Sequence, residues 1–406
     1  MMIDYATAQS LVSTLPLALR VESLPLLTAG GRILARPIEA PWPLPRFDNS
    51  AMDGFAVRCA DIAAASPQCP VSLPLAGESA AGVPMTAPLS AGTVARISTG
   101  APLPAGADGI VPIENAAVES TTVSFTAPAL PGCFIRRRGE DVPQGSLLAA
   151  VGARLDPPLL AFLAMYNFPT LDVFARPRVG ILTSGDEIKP HGAPLRANDV
   201  VGVNIYYLEQ ELRAFGCEPR IFGISPDDPA AFQAMLAEAL EASDMVVTTA
   251  GVSVGEHDVV GQAVRNLGGE VIFWRVSIRP GKPSLVAVFD GKPFFGLPGN
   301  PVAVCCNTEV LVKPFLREKL GIDPVNPALE EAVLLAPCPR DPSRLFFVYA
   351  RPEVRDGRLY AQPLGNQSSG NLFNPARGGL LLVAEPGADP VPAGASLPAL
   401  RLRSGR

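Results

Sequence analysis

Histidine is almost missing from this chain: His191 and His257 are the only two in 406 residues. A nucleophilic triad built on an imidazole base is therefore not expected. Cysteine occurs seven times, at Cys59, Cys69, Cys133, Cys217, Cys305, Cys306 and Cys338, with no C-x-x-C pair. An odd number without that pair argues against a disulfide framework and against a zinc site. Positive charge is also short, with 33 Lys and Arg against 39 Asp and Glu and a net charge of −6. That balance excludes general nucleic-acid binding, which wants a basic face, but it leaves room for local cationic pockets. No apolar run approaches the length of a membrane span. The opening Met1-Met2-Ile3-Asp4-Tyr5 lacks the basic region and hydrophobic stretch of a secretory signal. A cytoplasmic protein without membrane or nucleic-acid partners is expected.

What the chain does hold is turn-forming residues. Gly (37) and Pro (44) together make about a fifth of it, below the level that signals disorder, and 48% of residues are hydrophobic. The expectation is a loop-rich globular protein of roughly two to four domains. Residues 7–20 have helical spacing of Ala8, Leu11, Val12, Leu15 and Leu19, and Pro157-Pro158 suits the start of a helix running to Met165. Residues 46–139 contain short β-rich runs between Gly and Pro, such as 93–97 and 109–113. They predict a small β-rich domain inserted into a helical linker domain, 1–45 with 140–175.

From Arg176 the pattern alternates between strands and helices. Strand 178–182 precedes helix 204–215, which Gly216 stops. Strand 219–224 precedes Asp227-Asp228-Pro229, a helix start with acids at the positive end of the dipole. Strands 245–249 and 270–276, a hairpin at Asp290-Gly291 and a helix after Pro301 complete a parallel, three-layer α/β domain over 176–323. Cys305-Cys306 lie in the helix-like run Ala303 to Leu320, where adjacent side chains diverge by about 100°. They read as small buried hydrophobes rather than as a soft-metal dithiol. After Asp323-Pro324, the runs 331–337, 344–351, 358–364, 379–384 and 396–403 predict a small β-barrel over 324–406.

Two acidic turns stand out. Phe47-Asp48-Asn49-Ser50-Ala51-Met52-Asp53-Gly54 packs carboxylates, an amide and a hydroxyl where they can present oxygen ligands without burying unpaired charge. Thr183-Ser184-Gly185-Asp186-Glu187 lies where a strand empties into a loop, the place where open α/β sheets bind ligands. Its carboxylates suit a hard cation such as Mg²⁺, or alternatively a helix cap; Asp227 has the same two readings. The loop Gly251-Val252-Ser253-Val254-Gly255-Glu256-His257-Asp258 follows a strand and opens a helix. It suits phosphate binding or a tight turn, yet it lacks the Lys of a P-loop and the G-x-G-x-x-G of a dinucleotide fold. Arg275, Arg279 and Lys282 cluster around a Pro-Gly turn, either as anion binders or as a solvated face. Arg136-Arg137-Arg138 is most simply a solvated edge.

These segments, with Arg279-Pro280-Gly281-Lys282-Pro283 and Gly296-Leu297-Pro298-Gly299-Asn300-Pro301, resemble the molybdopterin molybdenumtransferases, to which the C-terminal part of gephyrin is homologous. The resemblance runs over nearly the whole chain, in the family's order. It implies metal insertion into adenylylated molybdopterin, with molybdate as substrate, Mg²⁺ as cofactor and AMP released. By the family's motifs, the catalytic residues are Asp53, Thr99, Asp141, Glu187, Asp227 and Asp258, with Glu187 and Asp53 on the metal. Substrate binding falls to Gly251, Ser253, Gly255, Arg275, Arg279, Lys282, Pro298, Pro301 and Ser369. The family implies a homodimer whose site joins the α/β domain of one subunit to the inserted domain of the other, and names the molybdopterin adenylyltransferase as a candidate partner. Departures occur at Ala250, where the family has Gly, at Arg275 and Arg279, where Lys is common, at Ser368, where Gly is usual, and at Tyr349, where Arg is frequent. Two other readings are a scaffolding protein on the same fold and the adenylyltransferase itself.

Overall fold

Asp4 caps the first helix, Tyr5–Ser13, by accepting the Thr7 N–H at 2.8 Å. The helix expected over 7–20 thus ends at Ser13. Pro16 lacks an N–H and disfavours the α conformation of the residue before it. Ala8, Val12 and Leu15 are nevertheless all buried in one core, Leu15 from beyond the helix end. The structure is a computed structural model, and it describes residues 2–250, 259–322, 324 and 328–402. The chain divides into two units. One comprises Met1–Arg36, Val151–Leu160 and Pro169–Arg406; the other comprises Pro37–Ala150 and Ala161–Phe168.

The smaller unit is built on a six-stranded sheet. Its strand order is Gly109–Pro112, Gly54–Val57, Val94–Ile97, Val71–Ser79, Thr122–Phe125 and Ala116–Glu119. All neighbours run antiparallel except Val71–Ser79 beside Val94–Ile97. Phe55, Val94, Val111 and Phe125 pack on one face, and Ala56, Ala95, Ile97 and Ile110 on the other. Phe55 and Phe125 meet edge to face at 6.3 Å, worth about 0.5–1.5 kcal/mol beyond their burial. Gly54 is required by sterics: a Cβ there would lie 2.1 Å from the Val111 carbonyl oxygen.

In the larger unit, the α/β sheet has the order Glu218–Ser225, Arg178–Ser184, Met245–Thr249, Lys292–Leu297, Leu285–Phe289 and Glu270–Trp274. Helices cover both faces. Val203–Phe215 packs with Val179, Ile181 and Phe295, while Pro229–Ala242 and Val259–Asn266 pack with Leu182, Val246 and Phe294. The expected helix signals are present. Gly216 ends its helix with φ 107°, and Asp228 caps the next by accepting the Ala231 N–H at 2.7 Å, with Pro229 at the first turn. The sheet is not wholly parallel, however. The Asp290-Gly291 hairpin forces Leu285–Phe289 to run against Lys292–Leu297, and Glu270–Trp274 runs against it in turn. Five strands therefore point one way and one is reversed. The run through Cys305 and Cys306 is helical, with a π turn at Thr308–Val312. Both cysteines are buried, and burial pushes the Cys305 thiol up to about 12 and that of Cys306 well above its ordinary value.

The C-terminal strands Glu330–Leu334, Leu345–Arg355, Arg358–Pro363, Leu380–Ala384 and Ser396–Arg401 close into a five-stranded barrel, because Leu345–Arg355 pairs with both Arg358–Pro363 and Leu380–Ala384. A sixth, two-residue strand, Ile278–Arg279, adds to it in parallel at Leu345 and Phe346. Among the described residues, no helix is long and apolar enough to cross a membrane.

Candidate functional site

In the smaller unit, three segments that carry predicted site residues are stitched together by backbone hydrogen bonds. Gly100 N donates to the Ser50 carbonyl at 2.8 Å, and Leu103 N to that of Asp48 at 3.0 Å. Ala51 N donates to the Phe134 carbonyl at 2.8 Å, and Asp141 N to that of Leu44 at 3.1 Å. Within this frame the Asp53 Oδ1 accepts both the Thr99 N–H, at 2.7 Å, and the Thr99 hydroxyl, at 3.0 Å. The backbone donor is the main cause of an Asp53 carboxyl held below its ordinary value. Asp53, Thr99 and Asp141 are all exposed. An ionised carboxylate is thus fixed by one oxygen and presented to solvent.

Asp48 has a role that the sequence did not assign to it. It accepts from Arg138 N at 2.8 Å and from the Arg137 guanidinium at 2.7 Å, and the backbone donor leads in depressing its carboxyl. Arg137 is therefore a tie holding the first acidic turn to the third segment as well as a solvated edge. The signal was the Asp at the head of that turn, which read only as a further oxygen ligand.

In the larger unit the strand directions place the remaining groups. The four parallel strands Glu218–Ser225, Arg178–Ser184, Met245–Thr249 and Lys292–Leu297 end at one edge of the sheet. Asp227, Asp186 with Glu187, Ala250 and Pro298 follow those ends directly. The Asp186 Oδ1 accepts the Asp227 N–H at 3.2 Å, joining two of the acidic segments. The reversed strand completes the edge: Glu270–Trp274 ends there and Leu285–Phe289 starts there, so the connection holding Arg275, Arg279 and Lys282 emerges at the same place. Gly251, Ser253, Gly255 and Asp258 lie outside the described residues.

The Pro-rich loop beyond Leu297 is tied down from two sides. Asn204 Nδ2 donates to the Gly299 carbonyl at 2.8 Å, and Val302 N, in the first turn of the helix that opens with Pro301, donates to the Ser369 carbonyl at 3.0 Å. Ser369 and Pro301 are thereby adjacent, although 68 residues apart in the numbering of the chain. Arg279 is fixed differently. Its guanidinium stacks over Phe346, 4.5 Å from the ring centroid, and its Nη1 lies 3.4 Å from Asp341 Oδ2. Burial alone would raise the Asp341 carboxyl. Hydrogen bonds from Arg344 and Ser343 N, with the nearby Arg charges, outweigh burial and hold it well below the usual carboxylate range. Sequence reasoning missed Asp341, whose only local signal is the turn Asp341-Pro342-Ser343. Tyr349 is not part of a solvent-facing site. It is 1% exposed in the main core, and among the described residues its hydroxyl has no hydrogen-bond partner.

Ala250 occupies a left-handed conformation, φ 70°, at the end of its strand. That conformation costs a residue with a Cβ about 1–2 kcal/mol. Ala250→Gly is expected to raise stability by about 0.5–1 kcal/mol once the greater freedom of the unfolded Gly is counted. Thermal melting checks it, and a fall in melting temperature would show that the Cβ packs favourably enough to outweigh the strain.

The edge can therefore receive a polyanion. It has cations on one connection and exposed carboxylates, which are hard oxygen donors, on two others. No cluster of three or more metal-ligating side chains occurs among the described residues. Comparisons with known proteins agree across the chain. A family model described as the MoeA N-terminal region (domain I and II) matches residues 3–166, a probable molybdopterin binding domain matches 180–318, and the MoeA C-terminal region (domain IV) matches 331–402. A molybdopterin molybdenumtransferase of Synechococcus elongatus is 38% identical over 78% of this chain and 80% of its own length. One of a Nostoc species is 34% identical over 94% of this chain and 88% of its own. A solved structure, described as the molybdopterin biosynthesis moea protein from Pyrococcus horikosii, superposes with a TM-score of 0.88 at 28% identity, covering 100% of both chains.

Proposed function

The chain belongs to the molybdopterin molybdenumtransferase family, and from that footing we propose that it transfers molybdenum from molybdate into adenylylated molybdopterin and releases AMP. It is a transferase of molybdenum cofactor biosynthesis, and the scaffolding and adenylyltransferase readings give way to that one. The observation that carries the finer reading is the shared sheet edge. There the reversed strand delivers Arg275, Arg279 and Lys282 to the side on which Glu187 and Asp227 emerge.

The physical task is to bring two anions together. At an effective dielectric of about 20, two unit charges 4 Å apart repel by roughly 4 kcal/mol. Cations on the Arg275–Lys282 connection offset that repulsion and orient the phosphates. Glu187 and Asp53 are the carboxylates assigned to Mg²⁺. Their exposed, hard oxygen donors fit an ion that takes few protein ligands and completes its shell with phosphates and water. When bound, Mg²⁺ would supply positive charge to the phosphoanhydride. Thr99 keeps Asp53 ionised and oriented, and Asp141, Asp227 and Asp258 complete the acidic set. Gly251, Ser253, Gly255, Pro298, Pro301 and Ser369 are assigned to the ligand's walls. No covalent enzyme nucleophile is needed.

This reading divides the chain into a linker domain (1–45 and 140–175), an inserted domain (46–139), a molybdopterin-binding domain (176–323) and a barrel domain (324–406). It places the protein in the cytoplasm as a homodimer, with the Asp53 group of one copy serving the Glu187 group of the other. A molybdopterin adenylyltransferase supplies the substrate. The decisive test is AMP release from adenylylated molybdopterin with and without molybdate; release that ignores molybdate would overturn the assignment. Sedimentation is expected to give a dimer at micromolar concentration, and a monomer there would remove the two-subunit site.

A further inference from the structure

The larger unit holds a cavity of about 990 Å³ to which none of the assigned site residues contributes. That volume is at the top of the range of small-molecule sites, roughly 300–1,000 Å³. Its lining includes six cationic side chains, Arg32, Arg154, Arg176, Lys313, Arg317 and Arg401, against two acids, Glu211 and Glu309. In a chain of net charge −6, such a local surplus runs opposite to the average surface. Concave, low-dielectric walls of one sign focus the field and concentrate counter-ions.

Ion pairs absorb only part of the surplus. Lys313 is held by Glu211 and by Glu309, the latter at 2.6 Å. Arg32 pairs with Glu22, and Arg401 with Glu330 at 2.7 Å. Arg154 and Arg176 are exposed and make no ion pair among the described residues. The remaining wall is apolar, with Phe174, Phe215 and Leu400 among its members. A bare inorganic anion would leave those surfaces wet, whereas an organic body carrying phosphates would use both kinds of wall.

We propose that this cavity is a second ligand site, taking a phosphorylated small molecule of the nucleoside diphosphate class, with Arg154 and Arg176 facing its phosphates. The paired cations hold the rim in place, and the two unpaired guanidinium groups supply the forked donors that phosphate oxygens accept.

The test uses the full-length protein, ADP as probe and calorimetry at low and at moderate salt. Two double variants are compared: Arg154→Glu with Arg176→Glu in the cavity, and Arg275→Ala with Arg279→Ala at the sheet edge. The cavity variant alters exposed side chains, so native melting is expected, together with ADP binding weakened roughly ten-fold or more. The edge variant is expected to keep a binding event that the cavity variant loses, and that event weakens with salt. Inorganic pyrophosphate is expected to bind more weakly than ADP because it leaves the apolar wall uncovered. The proposal is overturned if the cavity variant binds ADP like the wild type. It fails equally if the edge variant abolishes all ADP binding, if pyrophosphate matches ADP, or if the wild type binds no ADP at millimolar concentration in low salt.

Discussion

Asp53→Asn is expected to cut molybdate-dependent AMP release by about 100-fold or more while leaving the melting temperature unchanged. The magnitude follows from removing a charge placed where charge develops in the reaction, typically worth 10²–10³ in rate. The fold survives because Asp53 is exposed and an Asn carbonyl oxygen can still accept the Thr99 N–H and hydroxyl. What Asn cannot supply is a hard anionic ligand. Glu187→Gln is expected to behave alike, since Glu187 is also exposed beyond a strand end. Thr99 holds the Asp53 carboxyl below its ordinary value, so mild acidification to about pH 5 leaves it ionised and does not reproduce the Asn phenotype. Wild-type turnover in either variant, with native melting, would strike that residue from the site.

Arg279→Ala is expected to weaken binding of adenylylated molybdopterin by about ten-fold or more, the usual effect of losing a charge-assisted hydrogen bond. The variant keeps its fold because Asp341 retains Arg344, whose Nη2 lies 2.7 Å from it. The Lys variants separate charge from shape. At position 275, Lys is expected to retain much of the binding. At position 279, Lys keeps the charge but loses the planar stack on Phe346 and the guanidinium contact with Asp341, so it recovers only part. Calorimetry at two salt concentrations checks both positions. If Arg279→Ala binds like the wild type, Arg279 serves the barrel alone; if Lys fails as badly as Ala, forked geometry rather than charge does the recognition.

The α/β core was legible because its punctuation is chemical: Gly216 stops one helix, and Asp228-Pro229 starts the next. The barrel strands were legible for a similar reason, being short runs between Gly and Pro. The reversed strand was not, although its hairpin was. Apolar runs buried on both faces carry no direction, and only the tightness of the Asp290-Gly291 turn imposes one. The helix over 7–20 overran because Leu15 keeps the apolar spacing after Pro16 has ended the geometry. Within the site, Asp53 and Thr99 were singled out by family pattern, and their direct hydrogen bond spans a separation that no local spacing rule reaches. Asp341 was missed because its partner Arg279 is distant in the chain, while its nearest neighbours describe only a turn.

The Ile278–Arg279 strand belongs to two structures at once: it is the cationic connection of the α/β sheet, and it is the strand added to the barrel. Thermodynamic linkage then runs in both directions. On the proposed role of Arg279, a ligand bound to it is expected to steady the ladder at Leu345 and Phe346 and to slow the exchange of the barrel's amide protons. Conversely, a cavity opened beneath Phe346 is expected to loosen the Arg279 guanidinium that stacks on it. On the proposed role of Arg279, substitutions in the barrel that disturb Phe346 are therefore expected to weaken ligand binding before they unfold the protein.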